Sequence, residues 1–332
     1  MSFKPHVRLH GRKIAIVTPV FNDWAALTGV VEQIADLPDL AGHSIDLIVV
    51  DDGSPEKEHS IDWRRHAAIR SVQVVRLACN LGHQRAIAVG LVEALKIPDL
   101  DAVVVMDSDG EDVPGDIPKL LAAWRENPES IIVAKRGQRR EGFAFRAFYI
   151  AYKTIFRVLT GQVINFGNFS LLPIHAVRAL VHNSAIWNNL AAAISRSRIP
   201  YVRLQLDRGS RLAGQSRMNF VSLALHGVSA VSVYAEVVLV RMTALAFLLG
   251  GFAMAGGLGV LAIKLGTNWA IPGWASYVTA ALVVIFLQAV LLGTMSMFQL
   301  LSTRTLKPFI PARDAGAFVL DAAYESLPVA AE

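Results

Sequence analysis

Val103–Asp112 reads V-V-V-M-D-S-D-G-E-D, an apolar run that stops abruptly on acids. The stretch from Val103 to Met106 has the unbroken hydrophobicity of a strand buried on both faces, as in a parallel sheet. Asp107 and Asp109 follow two apart, with Glu111 and Asp112 close behind. Open α/β sheets bind ligands just outside the carboxyl ends of their strands. A D-x-D placed there can aim hard oxygen ligands at a divalent cation and, through it, neutralise a nucleotide diphosphate. The same letters also read as a polar surface turn, because Asp, Ser and Gly are all turn formers. The flanking chain has to separate the two.

Working outward, Lys13–Pro19 (K-I-A-I-V-T-P) predicts a strand ending in a proline turn, with Asp23 as N-cap of a helix from Trp24 to about Ala35. Ile45–Val50 predicts a second strand that runs into Asp51-Asp52-Gly53-Ser54. A third, Val72–Leu77, leads through Asn80-Leu81-Gly82-His83 to a helix from about Gln84 to Leu95. Ala102–Met106 is the fourth and Ile131–Ala134 the fifth. Strands alternating with helices argue for a mostly parallel, doubly wound α/β sheet whose right-handed crossovers gather the strand ends on one edge. There is no G-x-G-x-x-G after the first strand and no G-x-x-x-x-G-K-[ST], which argues against a dinucleotide fold or a P-loop NTPase. Such a sheet would hold a nucleotide through carboxylates and a metal.

Composition sets the bounds. The chain has 332 residues, 53% of them hydrophobic and 18% charged, and its mean hydropathy is +0.43. That balance fits a soluble domain with a membrane appendage. The net charge of +5 is modest; membrane phosphates or anionic substrates account for it, and nucleic acid is not an expected partner. The single cysteine, Cys79, excludes an intramolecular disulfide and a multi-cysteine metal site. Met1 to Lys13 is polar and basic, so no signal peptide is expected and the N-terminal domain is expected to fold in the cytosol.

Pro19-Val20-Phe21-Asn22-Asp23, Asp51-Asp52-Gly53-Ser54, Asn80-x-Gly82-His83 and Asp107-x-Asp109, in that order, resemble the motifs of family 2 glycosyltransferases with the GT-A fold. The chain is most similar among these to the polyprenyl-phosphate glycosyltransferases, which include the dolichol-phosphate mannose synthases. Gly167-Asn168-Phe169-Ser170-Leu171 and Arg211-x-x-Gly214-x-Ser216-Arg217-Met218 extend the likeness, which covers roughly residues 12 to 300. The resemblance implies Mg²⁺ or Mn²⁺ at Asp107 and Asp109, with a nucleotide-sugar donor held through it. It implies a nucleotide pocket lined by Pro19, Phe21, Asp23 and Asp51. Two departures stand out: Asp23 where many relatives carry Glu, and Gly110-Glu111-Asp112 where Leu-Gln-Asp is common.

From Lys135 to Arg157 the chain turns basic. Lys153 and Arg157, four apart, read as a solvated helix face, whereas Arg136 and Arg146 match family positions associated with phosphate. Arginine's planar fork suits phosphate oxygens, so these two are assigned to the leaving diphosphate or the lipid phosphate. Arg211 and Arg217 are expected to meet the acceptor phosphate at the bilayer surface. Trp187 reads as core or an interface anchor. A phosphate acceptor, with a second pKa of about 6, is already largely dianionic at neutral pH and needs no strong base. Related sequences often carry an acid in the segment where this chain has Asn168; were a base needed, Asp112 is the candidate.

Asn219–Val240 is apolar but interrupted by His226, Tyr234 and Glu236, which predicts amphipathic helices over residues 211–240 lying on a membrane. Met242–Ile263 and Tyr277–Leu301 carry no charge, and each exceeds the roughly 20 residues that span a bilayer. Trp269 and Trp274 in the connector suit an interfacial belt. Arg203, Arg208, Arg211, Arg217 and Arg241 precede the pair, and Arg304, Lys307 and Arg313 follow it. The positive-inside rule then places both termini in the cytoplasm. Gly250, Gly251, Gly256, Gly257 and Gly259 would allow close packing within the chain or in a homo-oligomer. The expected order is thus an N-terminal tail (1–12), a GT-A catalytic domain (13–210), juxtamembrane helices, two spans in a cell-membrane hairpin, and a partly ordered cytoplasmic tail (302–332). A processive polysaccharide synthase would need a translocation channel and a Q-x-x-R-W segment, neither of which the sequence supplies. A nucleotide-binding scaffold without activity is opposed by the intact Asp51, Asp107 and Asp109.

Overall fold

Each predicted strand of the N-terminal region forms, and each ends within two residues of the end of its apolar run. The computed structural model describes residues 11–40, 42–55, 69–136, 153–213, 227–267 and 273–326. In chain order these give β1 (Lys13–Val20), α1 (Trp24–Ala35), β2 (Ser44–Asp51), β3 (Ile69–Leu77), α2 (His83–Ala94), β4 (Ala102–Val105), α3 (Ile117–Glu126) and β5 (Ile131–Arg136). A helix over 153–160, α4, follows. Then come β6 (Ser170–Pro173), α5 (Ile174–Val181), α6 (Leu190–Arg196) and β7 (Tyr201–Leu206). A short α7 covers 227–232. The chain ends with α8 (Ala235–Gly266), α9 (Trp274–Thr305), α10 (Pro311–Asp314) and β8 (Val319–Ser326).

The eight strands form one sheet in the order β7-β5-β6-β4-β1-β2-β3-β8. Pairings β1/β2, β1/β4, β2/β3 and β5/β7 are parallel, while β4/β6, β5/β6 and β3/β8 are antiparallel. The chain steps from β1 outward through β2 and β3, then returns to place β4 on the other side of β1. The strand order therefore reverses between β1 and β4, the position where open α/β sheets form their ligand crevice. The central strands β1, β2 and β4 are buried almost throughout, with Ile14, Ile16, Leu47, Val49 and Val104 in one core with Leu27, Val30 and Ile34 of α1. On α2, Gly90 lets the helix lie close against the sheet: a Cβ there would stand 2.4 Å from Val17 Cγ1 and 2.9 Å from Val50 Cγ2.

Three expectations are corrected. The segment after the second apolar run is not merely a partly ordered extension: Val319–Ser326 adds to the sheet as β8, antiparallel to β3. It covers a strand edge that would otherwise present unpaired N–H and C=O groups. Ahead of it, Phe309 and Phe318 stack with Trp187, at centroid distances of 4.1 and 5.7 Å from its ring. The catalytic region is also not contiguous over 13–210. The described residues fall into two compact units, one within Met1–Phe145, Ile164–Val233 and Phe309–Glu332, the other within Arg146–Val163 and Tyr234–Pro308. Finally, residues 235–240 are not a separate juxtamembrane element. No breaker lies between them and the uncharged run, so they form the first turns of α8, where Glu236 suits the positive end of the helix dipole.

Within the second unit, α8 and α9 are each 32 residues long and apolar enough to cross a membrane. Buried residues recur at spacing seven, Ala246, Ala253 and Val260 on α8 and Ala289 and Ser296 on α9. Small side chains on this seam allow close approach. Gly293 meets Ala246, Gly250 meets Ala289 and Phe286, and Gly256 meets Leu282, so the two helices run antiparallel. Gly251, Gly257 and Gly259 face nothing within 4 Å. The interfacial tryptophan Trp269 lies outside the described residues.

Gly90→Leu forces a branched side chain onto two rigid valines of adjacent strands. It is expected to cost about 1–3 kcal/mol, typical of overpacking, read as a lowered unfolding midpoint of the whole chain in detergent. An unchanged midpoint would mean that α2 can lift from the sheet without penalty.

Candidate active site

The carboxyl ends of β4, β1 and β2 lie side by side, and each delivers acids. β2 ends on Asp51, whose register partner is Val20 at the end of β1. Asp51 Oδ1 accepts the Ser54 N–H at 3.0 Å, and Ser54 Oγ accepts the Asn22 N–H at 2.9 Å. The D-D-G-S turn is thereby tied to the proline-turn segment. Pro19 is buried within β1 and shapes the strand end, whereas Phe21 is exposed. Asp23 precedes α1, yet its side chain makes no cap hydrogen bond to that helix.

Asp52 has a different task from its neighbour. It is buried, and its two oxygens accept the N–H groups of Leu81 at 2.7 Å and Gly82 at 2.9 Å, which fixes the start of α2. Burial pushes its pKa up against the opposing pull of those two amides. Asp112 acts in the same way on the other acidic motif: it is buried, and Oδ2 accepts the Asp107 N–H at 2.8 Å. Asp112, the candidate should a base be needed, thus also sets the Asp107 backbone. Glu111 reaches Arg208, and its N–H donates to Asp109 Oδ1 at 2.9 Å.

Asp107 and Asp109 are partly exposed. His83, the first residue of α2, brings Nε2 to 3.0 Å from Asp107 Oδ1. The same nitrogen is 3.0 Å from Asn168 Nδ2. The amide orientations follow from one backbone group. The Leu190 N–H donates to Gln84 Oε1 at 2.8 Å, so Gln84 Nε2 must be the donor to Asn168 Oδ1 at 3.0 Å. Asn168 Nδ2 then faces His83 as a donor. One ring nitrogen cannot donate to Asp107 and accept from Asn168 at once, so the charge beside Asp107 decides which contact holds. Burial, the largest influence, pulls the His83 pKa down, but the charge and hydrogen bond of Asp107, with Asp112 and Asp52, outweigh it and leave the pKa raised.

A loop after β7 lies across this edge. The Gly209 N–H donates to the Glu111 carbonyl at 3.0 Å, and the Leu212 N–H to the Asp109 carbonyl at 2.9 Å. Leu212 packs where Gly110, at φ 86°, has no side chain; a Cβ there would stand 2.5 Å from Leu212 Cγ. So pinned, the loop sets Arg211 between two acids: Nη2 pairs with Asp23 Oδ2, and Nη1 lies 3.2 Å from Asp109 Oδ2. Burial lowers the pKa of Arg208, while Asp109 and Asp107 oppose that shift.

The structure thus brings together Asp23, Asp109 and Arg211, with Asp107 and Asp51 on the flanking strand ends. Arg211, expected to meet the acceptor phosphate, pairs in this structure with Asp23 and Asp109. Arg136 is the last residue of β5, and Arg146 and Arg217 lie outside the described residues. Sequence reasoning passed over His83, Gln84 and Arg208. His83 was inside a quoted motif; Gln84 and Arg208 carried no signal of their own.

A two-carboxylate D-x-D fits Mg²⁺ or Mn²⁺ of the kind completed by substrate phosphates and water. No group of three or more His, Cys, Asp or Glu with metal-holding geometry occurs among the described residues, so a dedicated all-protein cage is not what this edge offers.

The chain is 24% identical to glycosyltransferase YkcC of Bacillus subtilis (strain 168), over 84% of this chain and 86% of that one. It is 26% identical to glycosyltransferase sll0501 of Synechocystis sp. (strain ATCC 27184 / PCC 6803 / Kazusa), over 85% and 88%. Among solved structures, mannosyl-3-phosphoglycerate synthase from Rubrobacter xylanophilus matches 68% of this chain and 73% of its own, with a TM-score of 0.47 and 16% identity. Residues 15–189 match the model of glycosyl transferase family 2, and the chain belongs to that family.

Proposed function

We propose that this family 2 glycosyltransferase moves a sugar from a nucleotide-diphosphate donor to a polyprenyl phosphate, inverting the anomeric carbon, at the cytoplasmic face of the cell membrane. The observation that carries the reading is the meeting of Asp23 with Asp109 through Arg211, between the ends of β1 and β4 where the strand order reverses. Two long apolar helices in the same chain supply the membrane side of the reading.

Asp107 and Asp109 would hold Mg²⁺ or Mn²⁺, and a bound ion supplies positive charge to the leaving diphosphate. The chain's own residues do the remaining work. Asp51 and Asp23 hold base and ribose, with the exposed ring of Phe21 beside them. Asp112 keeps Asp107 in place through its amide. Arg211 neutralises Asp23 and Asp109 before the donor arrives. Once the donor takes those acids, its guanidinium is released toward a phosphate, joined by Arg136, Arg146 and Arg217. The acceptor phosphate is already an anion at neutral pH, so the protein's contribution is to position two anions in line and shield their repulsion.

Asp107→Asn and Asp109→Asn each remove an anionic ligand from a partly exposed strand end. Both are expected to abolish transfer, measured with radiolabelled sugar nucleotide and prenyl phosphate, while leaving the unfolding midpoint near that of the parent. Full activity in both, or in excess chelator, would sink the metal assignment.

Arg211→Ala should raise the apparent acceptor KM about fivefold, the equivalent of about 1 kcal/mol for one cation at a membrane surface. It should also lower the Mn²⁺ concentration needed for half-maximal rate, since Asp109 loses a competing cation. An unchanged metal dependence would show that Arg211 does not share the ion's place.

For the hairpin, single cysteines at Thr267 and at Arg313, in a Cys79→Ser background, are expected to label from opposite sides of sealed cells. Labelling from one side would overturn the two-span topology.

A further inference from the structure

Gln84, the second residue of α2, is buried, and both ends of its amide are engaged. Oε1 accepts the Leu190 N–H at 2.8 Å. Leu190 is the first residue of α6, so this N–H is one of the amides that a helix start leaves without an internal partner. A backbone N–H cannot reverse its role, which makes Gln84 Nε2 the donor to Asn168 Oδ1 at 3.0 Å. Asn168 is held from its backbone as well: Ser170 Oγ, fully buried, donates to its carbonyl at 2.8 Å.

This run of bonds ends at the acidic edge. β4 and β6 pair antiparallel as far as Val105 and Ser170. Asp107 lies two residues beyond the first and Asn168 two residues before the second, so both stand where that strand pair leaves the sheet. Asn168 is half-buried. Its Nδ2 carries two hydrogens. One can meet His83 Nε2 at 3.0 Å, and among the described residues the other has no partner. The orientation matters because the two faces of an amide suit different ligands. A cation entering here would be served by Oδ1, whereas a phosphate oxygen needs the N–H. Gln84 turns the N–H outward.

We propose that Gln84 is a positioning residue: it locks the Asn168 amide so that Nδ2 donates to a phosphate oxygen beside Asp107. Gln84 itself touches no substrate. The oxygen belongs either to the leaving diphosphate or to the acceptor phosphate. The inference rests on the reading of this edge as the place where phosphates meet, and direct binding separates the two.

The full chain in detergent is titrated calorimetrically with manganese pyrophosphate and with phytanyl phosphate. Gln84→Glu keeps an acceptor for the Leu190 N–H, so its unfolding midpoint is expected to stay near that of the parent. Its carboxylate cannot donate to Asn168, which then turns Nδ2 inward and shows Oδ1 to the site. Binding of one probe is expected to weaken about tenfold and that of the other to stay as in the parent. The affected probe is pyrophosphate if the oxygen is the donor's, and phytanyl phosphate if it is the acceptor's. Asn168→Ala, which adds no charge, should lose as much with the same probe, and the double variant no more than either single one. Losses that multiply in the double variant would mean that the new carboxylate repels phosphate directly, which overturns the proposal. Parent-like binding of both probes by either single variant overturns it too. Should Gln84→Glu not fold, Gln84→Met must weaken the same probe as Asn168→Ala, or the proposal falls. Failure of the parent chain to bind phytanyl phosphate would count against the lipid acceptor, while the pyrophosphate titrations still decide the role of Gln84.

Discussion

The constraint on which the site depends is electrostatic. A sheet ordered β4-β1-β2 gathers Asp23, Asp51, Asp107 and Asp109 at one edge, with Asp52 and Asp112 directly beneath. Like charges at this range destabilise one another unless each is hydrogen-bonded or faces a cation. The chain uses both remedies. Asp52 and Asp112, which are buried, receive backbone N–H donors. The more exposed acids are met by side chains: Arg211 on Asp23 and Asp109, Arg208 on Glu111, His83 on Asp107.

Each acidic motif therefore divides its labour. In D-D-G-S, Asp51 shapes the site edge through Ser54 while Asp52 anchors the start of α2. In D-S-D-G-E-D, Asp107 and Asp109 face outward while Asp112 holds the Asp107 amide. Removing an outward acid takes away charge. Removing an inner one leaves backbone donors unsatisfied in a buried place, at a cost of about 1–3 kcal/mol each. The two kinds of substitution harm the protein by different routes although the residue type is the same.

Much of this was legible in the letters. Strands whose apolar runs end on acids, and uncharged runs longer than a bilayer, are properties of local sequence, and β1 to β5 and the cores of α8 and α9 follow them. What escaped were elements made by distant partners. β6, β7 and β8 are short or sit at sheet edges, and β8 is recognisable only once β3 presents its open side. α4 showed two basic residues four apart; its contacts with Arg241 and Tyr234 come from about eighty residues later in the chain. Arg208 and Arg211 looked like membrane-side charges because the distance along the chain hides their contacts, Arg208 with Glu111 and Arg211 with Asp23 and Asp109.

Asn168 shows how such a contact changes the meaning of a residue. By family likeness it occupies a place where an acid is common, which reads as a missing function. In the fold its amide is oriented from the Leu190 N–H through Gln84, so that Nδ2 points as a donor at His83, beside Asp107. A carboxylate at 168 could accept from Gln84 equally well, but it would add another negative charge to an already acidic edge. The neutral amide reduces the repulsion that two approaching phosphates would meet there. For the proposed phosphate acceptor, anionic before it binds, that reduction would serve the reaction better than a base.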